Sequence, residues 1–317
     1  MTRYIVRRFI QLIPTLFLAS IVVFCIIALA PGDPAVMMAS SDATAEQIQA
    51  ERVRMGLDRP LPVRYAIWLT DVARLNLGYS LYTRRPVIKV VGEAFPNTVK
   101  LATISFIISV LIGFPLGMMA ALKQNSKADA LITAFNSLGL SIPSFWLGIV
   151  LILFFSVRFK WLPPSGSGEP GQDALYNLRY LILPVATIAF ANLAVFSRFL
   201  RSAMIDVLSL DYVRTARAKG LRERAVVSRH ALKNAMIPVI TIMGIQFGRL
   251  LSGAVVVESV FAYSGIGRLS VLSILNRDYP VVQSTLMLVV VIFMLVNLFV
   301  DLTYAYLDPR IKLEGAK

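Results

Sequence analysis

The sequence predicts an all-α integral membrane protein: six transmembrane helices with a small helical extracytoplasmic segment after the first. Three observations carry this reading. Of 317 residues, 57% are hydrophobic and only 16% charged, whereas a soluble domain carries roughly a quarter charged residues. Six apolar runs, near 9–30, 98–122, 130–157, 180–204, 236–258 and 280–307, reach the roughly 20 residues that cross about 30 Å of hydrocarbon. Basic residues collect in alternate short connections, which sets an orientation. Lipid offers no partner to an unpaired peptide group, so each run must be helical.

Residues 1–30 form the first helix. Arg3, Arg7 and Arg8 followed by an apolar run also resemble a secretory signal. The run is about twice the usual length for such a signal, and Pro31 would follow the cut, so a retained helix is expected. The single cysteine, Cys25, is expected to be buried filler and excludes an intrachain disulfide.

Residues 31–97 read as a structured cap. Thr44-Ala45-Glu46-Gln47 fits a capping box, starting a helix to Met55 that Gly56 can close. A second helix follows, with Tyr65, Trp68 and Leu69 on one face.

Residues 98–317 form a five-helix core with a cytoplasmic loop at 205–235. Pro115, Pro143 and Pro184 interrupt the core spans, and Pro14 the first. The sharpest bend is expected at "LSIPSF", where Ser141 and Pro143 become candidate substrate-pathway residues. Arg249 joins them: it reads as near the middle of the fifth span, where an arginine must face water, protein or a counter-charge. It either lines a route for an anionic group or makes a structural pair with Glu258 or another subunit. Trp161, Tyr180, Tyr304 and Tyr306 fall near span ends, as interfacial anchors do.

With the N-terminus inside, one side holds Arg3, Arg7, Arg8, Lys123, Lys127, the block 198–233, Arg310, Lys312 and Lys317. The opposite short loops hold Arg158, Lys160, Arg179, Arg268 and Arg277, so both termini are expected in the cytoplasm. The net charge of +14 then reflects topology rather than nucleic-acid binding.

Several function classes lack their residues. There is no Gly-Lys dipeptide, hence no Walker nucleotide site. One histidine and one cysteine make neither a zinc site nor a nucleophile–base pair, so no catalytic or metal residues are expected. A self-sufficient secondary carrier remains an alternative, but no carboxylate pair lies within a span.

The cytoplasmic block 211–238 reads as two short helices around a turn. Asp211 can cap the first helix, and Gly220 supplies the positive φ that ends it. Ala216 and Gly220, four apart, offer a shallow face among Arg214, Arg217 and Lys219. The second helix runs from about Arg222 to Asn234. His230 suits packing or interhelical hydrogen bonding better than a titrating switch.

This block resembles the cytoplasmic coupling loop of bacterial ABC importer permeases, specifically the dipeptide/oligopeptide/nickel transport family. The likeness spans the chain: "PGDP" at 31–34, "GLDRPLPVRY" at 56–65, "SIPSFWLG" at 141–148, "RTARAKGL" at 214–221, "HALKNA" at 230–235, "GAVVVESVF" at 253–261, "NRDYP" at 276–280 and "DLTYAYLDPRI" at 301–311. The chain departs from the family pattern in several places. Arg214-Thr215-Ala216 replaces Glu-Ala-Ala, Lys233 replaces a proline, Asn76 an acid, and Ser264 a proline.

The resemblance implies a type I ABC importer permease fold, with this chain as half of a transmembrane pathway and no enzyme itself. It implies a second homologous permease subunit, two ABC ATPase subunits and an extracytoplasmic solute-binding protein in a bacterial inner membrane. No cofactor would be bound by this chain; ATP and Mg would be used by the ATPase subunits. Asp211, Tyr212, Arg214, Thr215, Ala216, Arg217, Lys219, Gly220 and Leu221 would dock one ATPase. The cargo implied is di- and oligopeptides, the alternatives being glutathione, a nickel chelate or an oligosaccharide.

Overall fold

The computed structural model describes residues 2–29, 32–38, 43–168, 173–252 and 254–307. Arg310, Lys312, Lys317, Pro31 and Gly253 lie outside them, as do the side chains of Arg3, Arg7, Arg8, Tyr304 and Tyr306.

The described residues are helical throughout their regular elements. The first helix, α1 (Thr2–Ala28), continues through Pro14. A cap follows, made of α2 (Pro34–Met38), α3 (Ala45–Arg54) and α4 (Leu61–Ala73). The expected capping box is present: Thr44 Oγ1 accepts from Gln47 N and Gln47 Oε1 from Thr44 N, while Gly56 closes the helix at φ +64°. Tyr65 and Trp68 pack as expected on one face of α4, against Phe24 of α1, with Leu69 half-buried. Cys25, however, is exposed, on the flank of α1 that also shows Val22 and Ile26. A lone run of apolar letters hides which side of a helix its neighbours cover.

The core begins earlier than expected, with α5 (Val87–Leu122). Its 36 residues at about 1.5 Å each extend well beyond a bilayer's hydrocarbon. The third span is broken: α6 (Lys127–Ser141) and α7 (Ser144–Leu151), which a π-helical turn extends to Arg158, meet at 97°. The break falls on Ile142-Pro143, because proline lacks the N–H that would continue the ladder. Among the described residues, five helices are long and apolar enough to span a membrane, six if this bent pair counts as one.

The central helix is α8 (Ala174–Leu208), which packs against α5, α6, α7 and α11 (Leu232–Leu251). On α5, Ser105, Ser109, Gly113, Gly117 and Ala121 recur every four residues and are buried. A Cβ on Gly113 would sit 2.7 Å from Leu193 O, and one on Gly117 2.5 Å from Ser197 O. The two backbones therefore touch through a small-residue stripe, the packing available where lipid gives no hydrophobic drive between helices.

The fifth span differs from expectation. The helix ends at Leu251, so Arg249 sits in its last turn, where the C-terminal dipole favours a cation. Beyond the break stand α12 (Val255–Val260) and α13 (Ile266–Leu275), then the last span α14 (Tyr279–Leu307).

Candidate functional site

The 205–235 loop folds into a compact hairpin. Helix α9 (Asp211–Ala218) follows α8 and ends at Gly220, whose φ is +77°. A short α10 (Glu223–Ala225) and a π-helical turn, Val226–Ala231, then lead into α11. The expected single second helix is thus a widened one. Val213 and Ala216 bury themselves against Val226 and hold the hairpin closed.

Two expectations are corrected. Asp211 is the first helical residue, with its side chain 95% exposed, and Leu210 occupies the cap position. Ala216 is turned inward and does not share an open face with Gly220. A Cβ on Gly220 would meet nothing within 4 Å, so the chain needs glycine there for its backbone angle and not for room.

The basic side chains divide into two groups. Arg217 donates to Glu223 across the Gly220 turn, Nη2 to Oε1 at 2.7 Å and Nε to Oε2 at 3.1 Å, and this carboxylate pushes its pKa up further. Arg214 reaches Asp211 at 3.5 Å. Among the described residues, Lys219, Arg222 and Arg224 have no ion-pair partner, and all three are exposed. Beside them, Tyr212 and Leu221 stand 39% and 43% exposed, and Thr215 Oγ1 donates to Asp211 O. The result is an apolar tip ringed by free cations.

The hairpin is fastened to the bundle. Tyr212 Oη accepts from Asn234 Nδ2 at 2.7 Å and donates to the His230 carbonyl at 3.2 Å, latching α9 to the root of α11. On the other flank, Arg201 of α8 makes paired bonds to the buried Asp129 of α6. Sequence reading missed this pair; the only local signal was Ser126, which caps α6 three residues before Asp129.

Of the pathway candidates, Ser141 and Pro143 are exposed at the α6–α7 break, on different helices from Arg249. Arg249 donates to Gln246 at 3.3 Å, and Gln246 donates to the buried Asn192 of α8 at 2.9 Å. This polar file runs from the core to an exposed guanidinium. The alternative pairing with Glu258 is not made. Glu258 is fully buried and accepts from Thr98 Oγ1 at 2.8 Å and from Arg268 N at 3.0 Å, at the N-terminus of α13.

The comparisons agree with this architecture. A family profile described as "Binding-protein-dependent transport system inner membrane component" matches residues 113–313, and the profile for the N-terminal part of such membrane components matches 1–102. A relative named as a probable peptide ABC transporter permease, from Sinorhizobium fredii (strain NBRC 101917 / NGR234), is 40% identical over 98% of this chain and 99% of its own. A glutathione transport system permease of Escherichia coli (strain K12) is 42% identical over the same shares. A chain of the MetNI methionine ABC transporter, solved in inward-facing conformations, superposes with a TM-score of 0.58 at 18% identity, covering 70% of this chain and 98% of that one, and so shares the fold. Matched along both parts of its length and folded as these permeases fold, this chain belongs to the family of binding-protein-dependent transport system inner membrane components, the multi-pass permease subunits of ABC importers.

Proposed function

We propose that this permease subunit carries di- and oligopeptides into the cell as one half of a transmembrane pathway. A second homologous permease completes the pathway, two ATPase subunits that use ATP and Mg drive it, and an extracytoplasmic binding protein delivers the cargo. The chain itself binds no cofactor and performs no chemistry. The Lys/Arg asymmetry supports cytoplasmic N- and C-termini, with residues 31–97 outside.

The observation that carries the reading is the α9–Gly220 hairpin. It presents exposed Tyr212 and Leu221 among free cations and is latched to the root of α11, while α8, which leads into it, is clamped to α6. An ATPase cleft grips Tyr212, Lys219, Gly220 and Leu221, while Arg217, Thr215 and Ala216 keep the hairpin in shape. Asp211 and Arg214 form its outer edge. When the ATPase pair closes, the hairpin moves as a body. The Tyr212 latch then moves α11, and the Arg201–Asp129 clamp moves α6, which turns the cavity from one face to the other.

Cargo assignment is supported by near-full-length relatives named for peptide and glutathione transport. Glutathione, a tripeptide by chemistry, is the second reading. The test is uptake in a host lacking this subunit. Labelled di- and oligopeptides should accumulate when the chain and its partners are restored. Recovery of glutathione alone would move the assignment to the second reading. Uptake into liposomes by this chain alone, without ATP, would refute the importer scheme.

A further inference from the structure

A cavity beside the cap has a chemistry that the transport scheme does not use. It measures about 640 Å³ and lies between the cap and the adjoining ends of α1 and α14. One wall is apolar: Phe24 and Ile27 from α1, Ile67 and Trp68 from α4. The other is basic, with Arg52, Arg54, Arg59 and Arg64.

These arginines are not equivalent. Arg52 is held by Asp33, and Arg54 by Glu51 at 2.9 Å. Asp71, the other acid on the wall, accepts from Asn76. Among the described residues, neither Arg59 nor Arg64 has an ion-pair partner. Two guanidiniums therefore face a cavity with their charge uncompensated, and a guanidinium fork matches a phosphate through paired hydrogen bonds.

The surroundings decide which anion fits. Helix α4 lies along α1, with Tyr65 Oη 2.7 Å from Ser20 Oγ. Ser20 is two turns inside the end of α1, about 12 Å along its axis, which brings α4 alongside the hydrocarbon. The cavity's own Ile67 is 42% exposed, and Leu61 and Val63 of α4 are more so, as are Val22 and Ile26 of α1. An inorganic anion would satisfy the arginines and leave this apolar surface uncovered. An amphiphile with an anionic head satisfies both.

We propose that this cavity binds an anionic phospholipid, its phosphate between Arg59 and Arg64 and its acyl chains along α1 and α4. The lipid would thus pin the cap to the spans beside it.

The test is native mass spectrometry of the purified complex, incubated with phosphatidylglycerol or phosphatidylcholine of equal chain length. Phosphatidylglycerol should be retained preferentially. R59A/R64A should lower its retention by roughly thirtyfold, as expected for two basic contacts near a charged surface. Equal retention of the two lipids would overturn the proposal, as would unchanged phosphatidylglycerol binding by R59A/R64A. Full displacement by millimolar inorganic phosphate would mark a free-anion site and overturn it too. Should the double variant fail to assemble, the lipid comparison and the phosphate competition on the unaltered complex decide alone.

Discussion

Arg201 donates two parallel hydrogen bonds to Asp129, from Nε to Oδ1 at 2.6 Å and from Nη2 to Oδ2 at 2.7 Å. The pair joins the first turn of α6 to α8, two turns before α8 ends ahead of the α9–Gly220 hairpin. Asp129 also accepts from the Asn125 amide, so its carboxylate organises the α5–α6 turn as well.

Asp129→Asn should therefore destabilise the complex by about 3 kcal/mol, because it leaves Arg201 uncompensated in a mostly buried setting. Arg201→Lys keeps the charge but loses the fork and should cost less. Thermal unfolding of the detergent-purified complex reads both. An unchanged midpoint for Asp129→Asn would show the clamp to be idle.

Substitutions at Gly220 should separate backbone from surface. Asparagine tolerates positive φ, so Gly220→Asn should retain most coupling. A side chain other than Asn or Asp pays roughly 1–2 kcal/mol for that conformation. Gly220→Asp sets an acid among Lys219, Arg222 and Arg224 and should abolish ATP hydrolysis stimulated by loaded binding protein, in a complex that still assembles. Since no atom of this chain lies near the new Cβ, the loss would belong to the interface. Normal stimulated hydrolysis by Gly220→Asp would refute the docking role.

Two glycines of α5 should respond to alanine with opposite signs. Gly113→Ala drives a methyl into the Leu193 carbonyl, and such overpacking costs about 1–3 kcal/mol. Gly92 faces open space on the same helix, so Gly92→Ala should gain up to about 1 kcal/mol from helix propensity. Unfolding midpoints that shift in the same direction would contradict the stripe-packed α5–α8 contact.

Arg249→Met tests whether the polar file from Asn192 through Gln246 ends in the transport route. Uptake of cargo bearing additional carboxylates should fall relative to neutral dipeptides in a competition assay. Unaltered preference, with normal transport, would remove Arg249 from the route.

The cap carries a pH signature. Hydrogen bonding from Arg52 holds the Asp33 carboxyl below the usual carboxylate range. A lowered folded-state pKa contributes stability above the unfolded value, and that contribution is lost as pH falls through the folded value. Cap docking, followed by Trp68 fluorescence in a W146F/W161F background, should be flat from neutrality down to about pH 4 and loosen only below it. Asp33→Asn should remove the acid transition. A transition near pH 6 would point to another group.

What could be read beforehand followed a pattern. The Thr44–Gln47 box and the positive φ at Gly220 were legible because each depends on residues within one turn. The break at Pro143 was legible because proline cannot continue a helix. The end of α11 at Leu251 was not, since apolar letters continue beyond it and look the same in a span as in α12. Ala216 was misread because helical spacing with Gly220 does not reveal which side Val226 will cover.

The sequence by itself determined the membrane class, the apolar runs that become candidate spans and the turn of the α9–Gly220 hairpin. Hydropathy, charge asymmetry and backbone sterics act over a few residues and need no knowledge of the fold. Only the tertiary structure decided where the polar groups inside the bundle go. Glu258 meets Thr98 from 160 residues away, Asp129 meets Arg201 from 72, and Gln246 meets Asn192 from 54. In a medium without water each such group must find a protein partner, and that partner is set by which helices touch.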